Sequence, residues 1–192
     1  MKGRPLLIAL SSLLGFVLVA GLITLVFTTL KLQQALKPKP VQYSAAELAK
    51  RANDQITSGD YAQAEEYLKQ SLQKQDDHTY RSKLAVVEYR LKKYADSITQ
   101  YQLLVDKQQD VAFAENGIGN AQRDWGSSHY ADAEAAYRSS FAADKGYVAA
   151  YSNLALLLTQ EHQLPAAIKI VEQGIAVTED PSLISLKATL SK

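Results

Sequence analysis

Three histidines, twenty acidic residues and no cysteine set the chemistry open to this 192-residue chain. His78, His129 and His162 lie far apart in predicted turns, so they are not expected to converge on a metal ion, whose ligands must all stand about 2 Å from one point. The adjacent carboxylates Glu65-Glu66 and Asp76-Asp77 are expected on polar faces or in turns, where water solvates them. No serine stands in a G-x-S-x-G elbow or beside a paired base, and no glycine-rich phosphate loop precedes a helix. The lack of cysteine excludes disulfides, thiolate catalysis and cysteine metal sites. Twenty-one Lys and Arg nearly cancel the acids, so a nucleic-acid-binding surface is not indicated. The eleven tyrosines are read as core markers rather than a base-stacking platform. No catalytic site, metal or cofactor is expected, and binding remains.

A binding surface needs elements to carry it, and the chain writes one pattern four times. "GDYAQAEEYLKQSL" (59–72), "KKYADSITQYQLLV" (92–105), "SHYADAEAAYRSSF" (128–141) and the fainter "HQLPAAIKIVEQGI" (162–175) share an order of features. A large marker at Tyr61, Tyr94, Tyr130 and Leu164 recurs at intervals of 33, 36 and 34 residues. Small residues follow at Ala64, Ser97, Ala133 and Ala167, then Leu68, Tyr101, Tyr137 and Val171 two turns beyond the first marker on the same helical face. Upstream stands a second series, Arg51-Ala52, Leu84-Ala85, Ile118-Gly119 and Leu154-Ala155. The two series agree if "WGSSH" (125–129) holds two extra residues in a turn. A period near 34 with paired helical patterns predicts an all-α stack of helix-turn-helix units. Small residues let helix axes approach to about 8–10 Å, and Gly59 and Gly126 stand where left-handed backbone ends a helix.

The amino-terminal region is different. Leu6–Leu30 runs twenty-five residues without a charge, and as a helix it would span roughly 37 Å, enough to cross a ~30 Å hydrocarbon core. It reads as an uncleaved signal-anchor after a basic tail, residues 1–5. A proline- and lysine-bearing linker, residues 31–43, follows, with Lys37 and Lys39 suited to anionic headgroups. All acids lie at Glu47 or later, so the region from Val41 carries about −4 and the first forty residues about +5. The short basic tail orients the amino terminus inside and the remainder on the exported side. "SAAE" (44–47) fits a capping box that opens the folded domain.

The quoted stretches, with "IGNAQ" and "NLALL", resemble the tetratricopeptide repeat family over four units within residues 44–179. "DPSLISLKATLSK" (180–192) fits a final capping helix whose Leu183, Leu186 and Leu190 share a face. Arg51 stands where that family has an apolar residue, and Leu104 where it has a small one, which weakens the expected packing there. The resemblance implies that the first helices line a concave groove for a protein or peptide partner. Mapped by phase, the groove takes Asn53, Tyr89, Arg90, Asn116, Asn120, Arg123, Ser152, Asn153 and Thr159. The family's chaperone-tail clamp is only loosely matched, by Asn53, Lys83 and Asn120; Ala49 and Ala149 supply no cation. The expected protein is a membrane-anchored adaptor, held in the bilayer through residues 6–30, with envelope, secretion or pilus assembly as its setting. A cytosol-facing targeting receptor and a non-catalytic subunit of a larger membrane complex are the alternatives.

Overall fold

Short helices with caps at their ends account for the architecture of the computed structural model, which describes residues 21–34 and 42–192. The chain divides into two compact units, Met1–Gln42 and Tyr43–Lys192. In the first, a helix α1 is described over residues 21–34. The second holds α2 (Ala45–Ser58), α3 (Tyr61–Lys74), α4 (His78–Arg90), α5 (Tyr94–Asp106), α6 (Val111–Trp125), α7 (Tyr130–Ala143), α8 (Val148–Gln160), α9 (Leu164–Thr178) and α10 (Pro181–Leu190). Every regular element among the described residues is helical.

The unit Tyr43–Lys192 starts where the capping box is formed. The Ser44 amide donates to Glu47 Oε2 at 2.7 Å, and the Glu47 amide donates to Ser44 Oγ at 3.2 Å. Gly59 ends α2 at φ 83°, where a side chain would be strained. Lys92 and His162 hold the same left-handed geometry after α4 and α8. Gly126 departs from expectation: its φ of 138° and ψ of 172° are extended backbone of a kind open to glycine, not the left-handed helical cap. It leads into a 3-10 turn, Ser127–His129, which takes up the two-residue insertion. His78 also departs, because Asp77 caps α4 through the Thr79 and Tyr80 amides and His78 becomes its first residue.

Each large marker opens a second helix, and the small residues occupy the helix contacts. Ala52, Ala64, Ala85, Ala133, Ala155 and Ala167 are fully buried, as are Leu68, Tyr137 and Val171, while Tyr101 is nearly so. Successive helices pack side by side through three apolar clusters. The rings rest on glycines: a Cβ on Gly119 would stand 2.6 Å from Tyr137, and one on Gly117 2.3 Å from Tyr101. Serine hydroxyls join second helices to first ones, Ser71 donating to the Ala45 carbonyl at 2.8 Å and Ser140 to that of Ala112 at 2.6 Å. Leu104 holds the corresponding place in the second repeat and is completely buried beside Tyr101, Ala114 and Ile118, so its bulk is accommodated. Arg51 lies over the Tyr43 ring at 3.9 Å, a cation–π contact in place of core packing. On α10, Leu183 is buried and Leu186 and Leu190 are partly so.

One acidic position expected in water, Glu65, is buried instead, while Asp76 lies exposed in a turn and is paired. Glu65 is 7% exposed and pairs with Lys69 at 2.6 Å and Lys93 at 2.7 Å, because its face of α3 meets α4 and the turn that follows it. Asp76 pairs with Lys107 and Arg81, which lower its carboxyl to about 2. Glu88 is the costly member of this group. It is 1% exposed, among the described residues only Lys69 pairs with it, at 3.4 Å, and its Oε2 has no hydrogen-bond partner. Burial raises its pKa, with Lys69 pulling the other way. The fold therefore disfavours the ionised form, and that penalty disappears as pH falls through the raised pKa. Glu88→Gln should raise the melting temperature at pH 8 by a few degrees, corresponding to about 1 kcal/mol, since Lys69 keeps Glu65 as its partner. The gain should shrink as the pH is lowered through the raised pKa, where native Glu88 takes up its own proton. A thermal melt showing instead a loss of several degrees at pH 8 would mean that the Lys69–Glu88 pair holds the junction.

In α1, residues 21–30 of the expected membrane segment are described, while residues 6–20 and most of the 31–43 linker lie outside the described residues. Among the described residues no helix is long and apolar enough to cross a membrane. Leu22, Ile23, Leu25, Val26, Phe27, Leu30 and Leu32 are at least half exposed and cover most of the helix circumference, while Gly21, Thr24, Thr28 and Lys31 share the remaining strip. The hydroxyls of Thr24, Thr28 and Thr29 donate to backbone carbonyls one turn back at 2.8–2.9 Å.

Candidate partner-binding face

The first helix of each repeat carries a residue immediately after its buried small marker: Asn53, Val86, Asn120 and Leu156. One turn to either side stand the other candidates. Side chains join successive first helices across this face. Lys83 Nζ donates to Asn53 Oδ1 at 2.9 Å, the Tyr89 hydroxyl donates to Asp124, and Asn153 Nδ2 donates to Asn116 Oδ1 at 2.9 Å. Of these candidates only Asn116 and Asn153 bond each other directly, Asn53 being held by Lys83 and Tyr89 by Asp124, and Asn116 is buried.

Arg123 and Asn120 sit beside this row but are partly committed. Arg123 Nε donates to Asp124 Oδ1 at 2.9 Å, leaving both terminal guanidinium nitrogens without a bond among the described residues. Burial opposes ionisation of Asp124, but the bonds from Arg123 and Tyr89 outweigh it and hold the carboxyl below its ordinary value. The Tyr89 hydroxyl is pushed up by burial and by that carboxylate. Asn120 Oδ1 accepts from the buried Tyr137 hydroxyl at 2.9 Å. Asn120 is therefore tied to the core. Among the described residues its amide nitrogen has no hydrogen-bond partner, nor has the Asn153 carbonyl oxygen.

The remaining candidates differ. Thr159 turns its hydroxyl to the Ala155 carbonyl at 2.8 Å, within its own helix. Ser152 is half-buried on α8, and Arg90 is exposed at the end of α4 without an ion pair among the described residues. Two further residues of this face were not among the candidates. Asp124 occupies the repeat phase of Arg90, so one phase carries opposite charges in adjacent units. Leu156, 49% exposed, is the apolar counterpart of Asn120. The His129 ring, in the turn after α6, stacks on Trp125 with centroids 4.4 Å apart. Among the described residues no three His, Asp or Glu side chains gather as a metal site.

Comparison with known proteins fits this geometry. Two family models, both described as tetratricopeptide repeat, match residues 49–112 and 125–190. No curated protein matches the chain in sequence. Among solved structures, TTC0263, a thermophilic TPR protein in Thermus thermophilus, has a TM-score of 0.60 at 15% identity, over 77% of this chain and 81% of that one. MamA residues 41 to the end from Desulfovibrio magneticus gives 0.61 at 16%, over 76% and 82%. YrrB, a TPR protein with an unusual peptide-binding site, gives 0.60 at 16%, over 76% and 74%. These identities speak for the fold alone. The two family matches together span more than half of the sequence, and the chain belongs to the tetratricopeptide-repeat family.

Proposed function

We propose that the chain is a membrane-anchored adaptor that holds a partner protein's segment on its first-helix face. Tetratricopeptide repeats generally mediate protein–protein or peptide interactions, and the neighbour YrrB is described by its peptide-binding site. The observation that carries the reading is the set of open polar atoms on one face: the Arg123 terminal nitrogens, the Asn120 amide nitrogen and the Asn153 carbonyl oxygen. The first suits a carboxylate and the others suit an extended backbone. Leu156 adds an apolar seat beside them. Nothing in this arrangement asks for catalysis.

Anchoring is supported by α1. Large exposed apolar side chains over most of its circumference suit apolar surroundings, and the three threonines bond their own backbone, as polar groups must in hydrocarbon. The amino terminus would lie inside and the repeats on the exported side, serving envelope, secretion or pilus assembly.

A photo-crosslinking residue at Ser152 of the full-length chain, in carbonate-washed membranes, tests both parts. Full-length chain should stay in the pellet and give a discrete adduct with one partner, while the same group at exposed Gln102 on α5 should not. A soluble species starting near Val41 would overturn the anchor. Equal adducts from both positions would overturn the assignment of the face.

A further inference from the structure

Tyr89, Tyr94, Trp125 and His129 form a continuous row of rings, with successive centroids 6.1, 6.5 and 4.4 Å apart. The row leaves the first-helix face at Tyr89 and follows the turn edge of the second and third repeats. Its cause is local: Trp125 ends α6, Gly126 reverses the chain, and the inserted 3-10 turn lays the His129 ring nearly flat on the indole, at 14°. The indole is nevertheless 46% exposed. Beside it lies a cleft of about 260 Å³ lined by Lys92, Lys93, Tyr94, Ala95, Asp96 and Trp125.

Charge decides what this cleft can hold. Arg90-Leu91-Lys92-Lys93 places three cations in four residues on a domain whose net charge is negative. Lys93 is engaged by Glu65, but Lys92 and Arg90 have no ion pair among the described residues. The indole N–H and the Tyr94 hydroxyl are likewise unbonded donors. Asp96 is the one anion lining the cleft, and it stands in the first turn of α5, where the helix terminus offsets its charge. Donors and rings therefore dominate.

We propose that this edge is a second docking surface, for an acidic partner segment that lays a proline or aromatic ring on Trp125 and Tyr94 and its carboxylate against Lys92. It does not rest on the function assigned to the first-helix face. Trp125 is the only tryptophan, so its emission reports the site directly in full-length chain held in detergent micelles. The probe is the peptide acetyl-Glu-Phe-Pro-Glu-amide, with acetyl-Lys-Phe-Pro-Lys-amide as counterpart. The acidic peptide should change the emission saturably at millimolar concentration or below, and the lysine peptide should bind at least tenfold more weakly. Lys92→Glu, at an exposed position without partners, should weaken the acidic peptide about fivefold and leave the melting temperature unchanged. No saturable change, equal response to both peptides, or unaltered affinity in Lys92→Glu would each overturn the proposal. Tighter binding of the lysine peptide would overturn it too, and would make Asp96 the determinant.

Discussion

Tyr137→Ala is expected to lower the melting temperature of the full-length chain by about 10 °C, and Gly119→Leu to lower it by several degrees. Tyr137 is fully buried and its ring lies on the Gly119 backbone, where a Cβ would come within 2.6 Å. Removing the ring empties a site walled by two helices, at a cost of about 3–5 kcal/mol. It also takes away the hydroxyl that Asn120 accepts. Adding a leucine on the other side forces α6 and α7 apart, at about 1–3 kcal/mol. Because the two changes act on one volume, they should not add. Gly119→Leu in the Tyr137→Ala background should cost less than it does alone, since the leucine can enter the vacated space. Thermal melts of the four proteins check this. Additive losses, or a Tyr137→Ala chain that melts unchanged, would show that ring and glycine do not share a contact.

That contact was legible in the sequence because it repeats. A small residue on one helix and a large one on the next, recurring every 33 to 36 residues, leave few ways to fold, and Ala52, Ala85, Gly119 and Ala155 all lie where their phase put them. Gly117 escaped because it breaks the phase: it receives Tyr101 of the preceding repeat, an interaction between units that a within-unit pattern does not express. The binding face was less legible for a related reason. Repeat phase says which residues share a face, but not how they are spent on one another. Lys83 on Asn53, Asn153 on Asn116 and Tyr89 on Asp124 are bonds between side chains 30 to 37 residues apart. Glu65 was misplaced likewise, since its partner Lys93 arrives from the next repeat.

Arg123→Ala should reduce the yield of the Ser152 crosslink to the partner at least tenfold while leaving the melting temperature within about two degrees. The guanidinium is held by one bond, from Nε to Asp124, and that bond orients it without using the two terminal nitrogens. A carboxylate arriving there meets a fixed pair of donors, and charge-assisted bonds of this kind contribute about 1.5–3 kcal/mol each. Stability should hardly change because Asp124 keeps the Tyr89 hydroxyl as its donor and remains partly solvated. Asn120→Ala makes the contrast. Its oxygen is the acceptor for the buried Tyr137 hydroxyl, so its loss should lower the melting temperature by several degrees, about 1–3 kcal/mol, along with any effect on capture. Pairing the two substitutions would therefore confuse folding with binding, and Arg123→Ala alone separates them. If the folded Arg123→Ala chain captured its partner undiminished, the carboxylate would have to be received elsewhere. Arg90 and Lys92 are then the nearest cations in sequence phase, and the docking surface would move from the first-helix face to the aromatic turn edge.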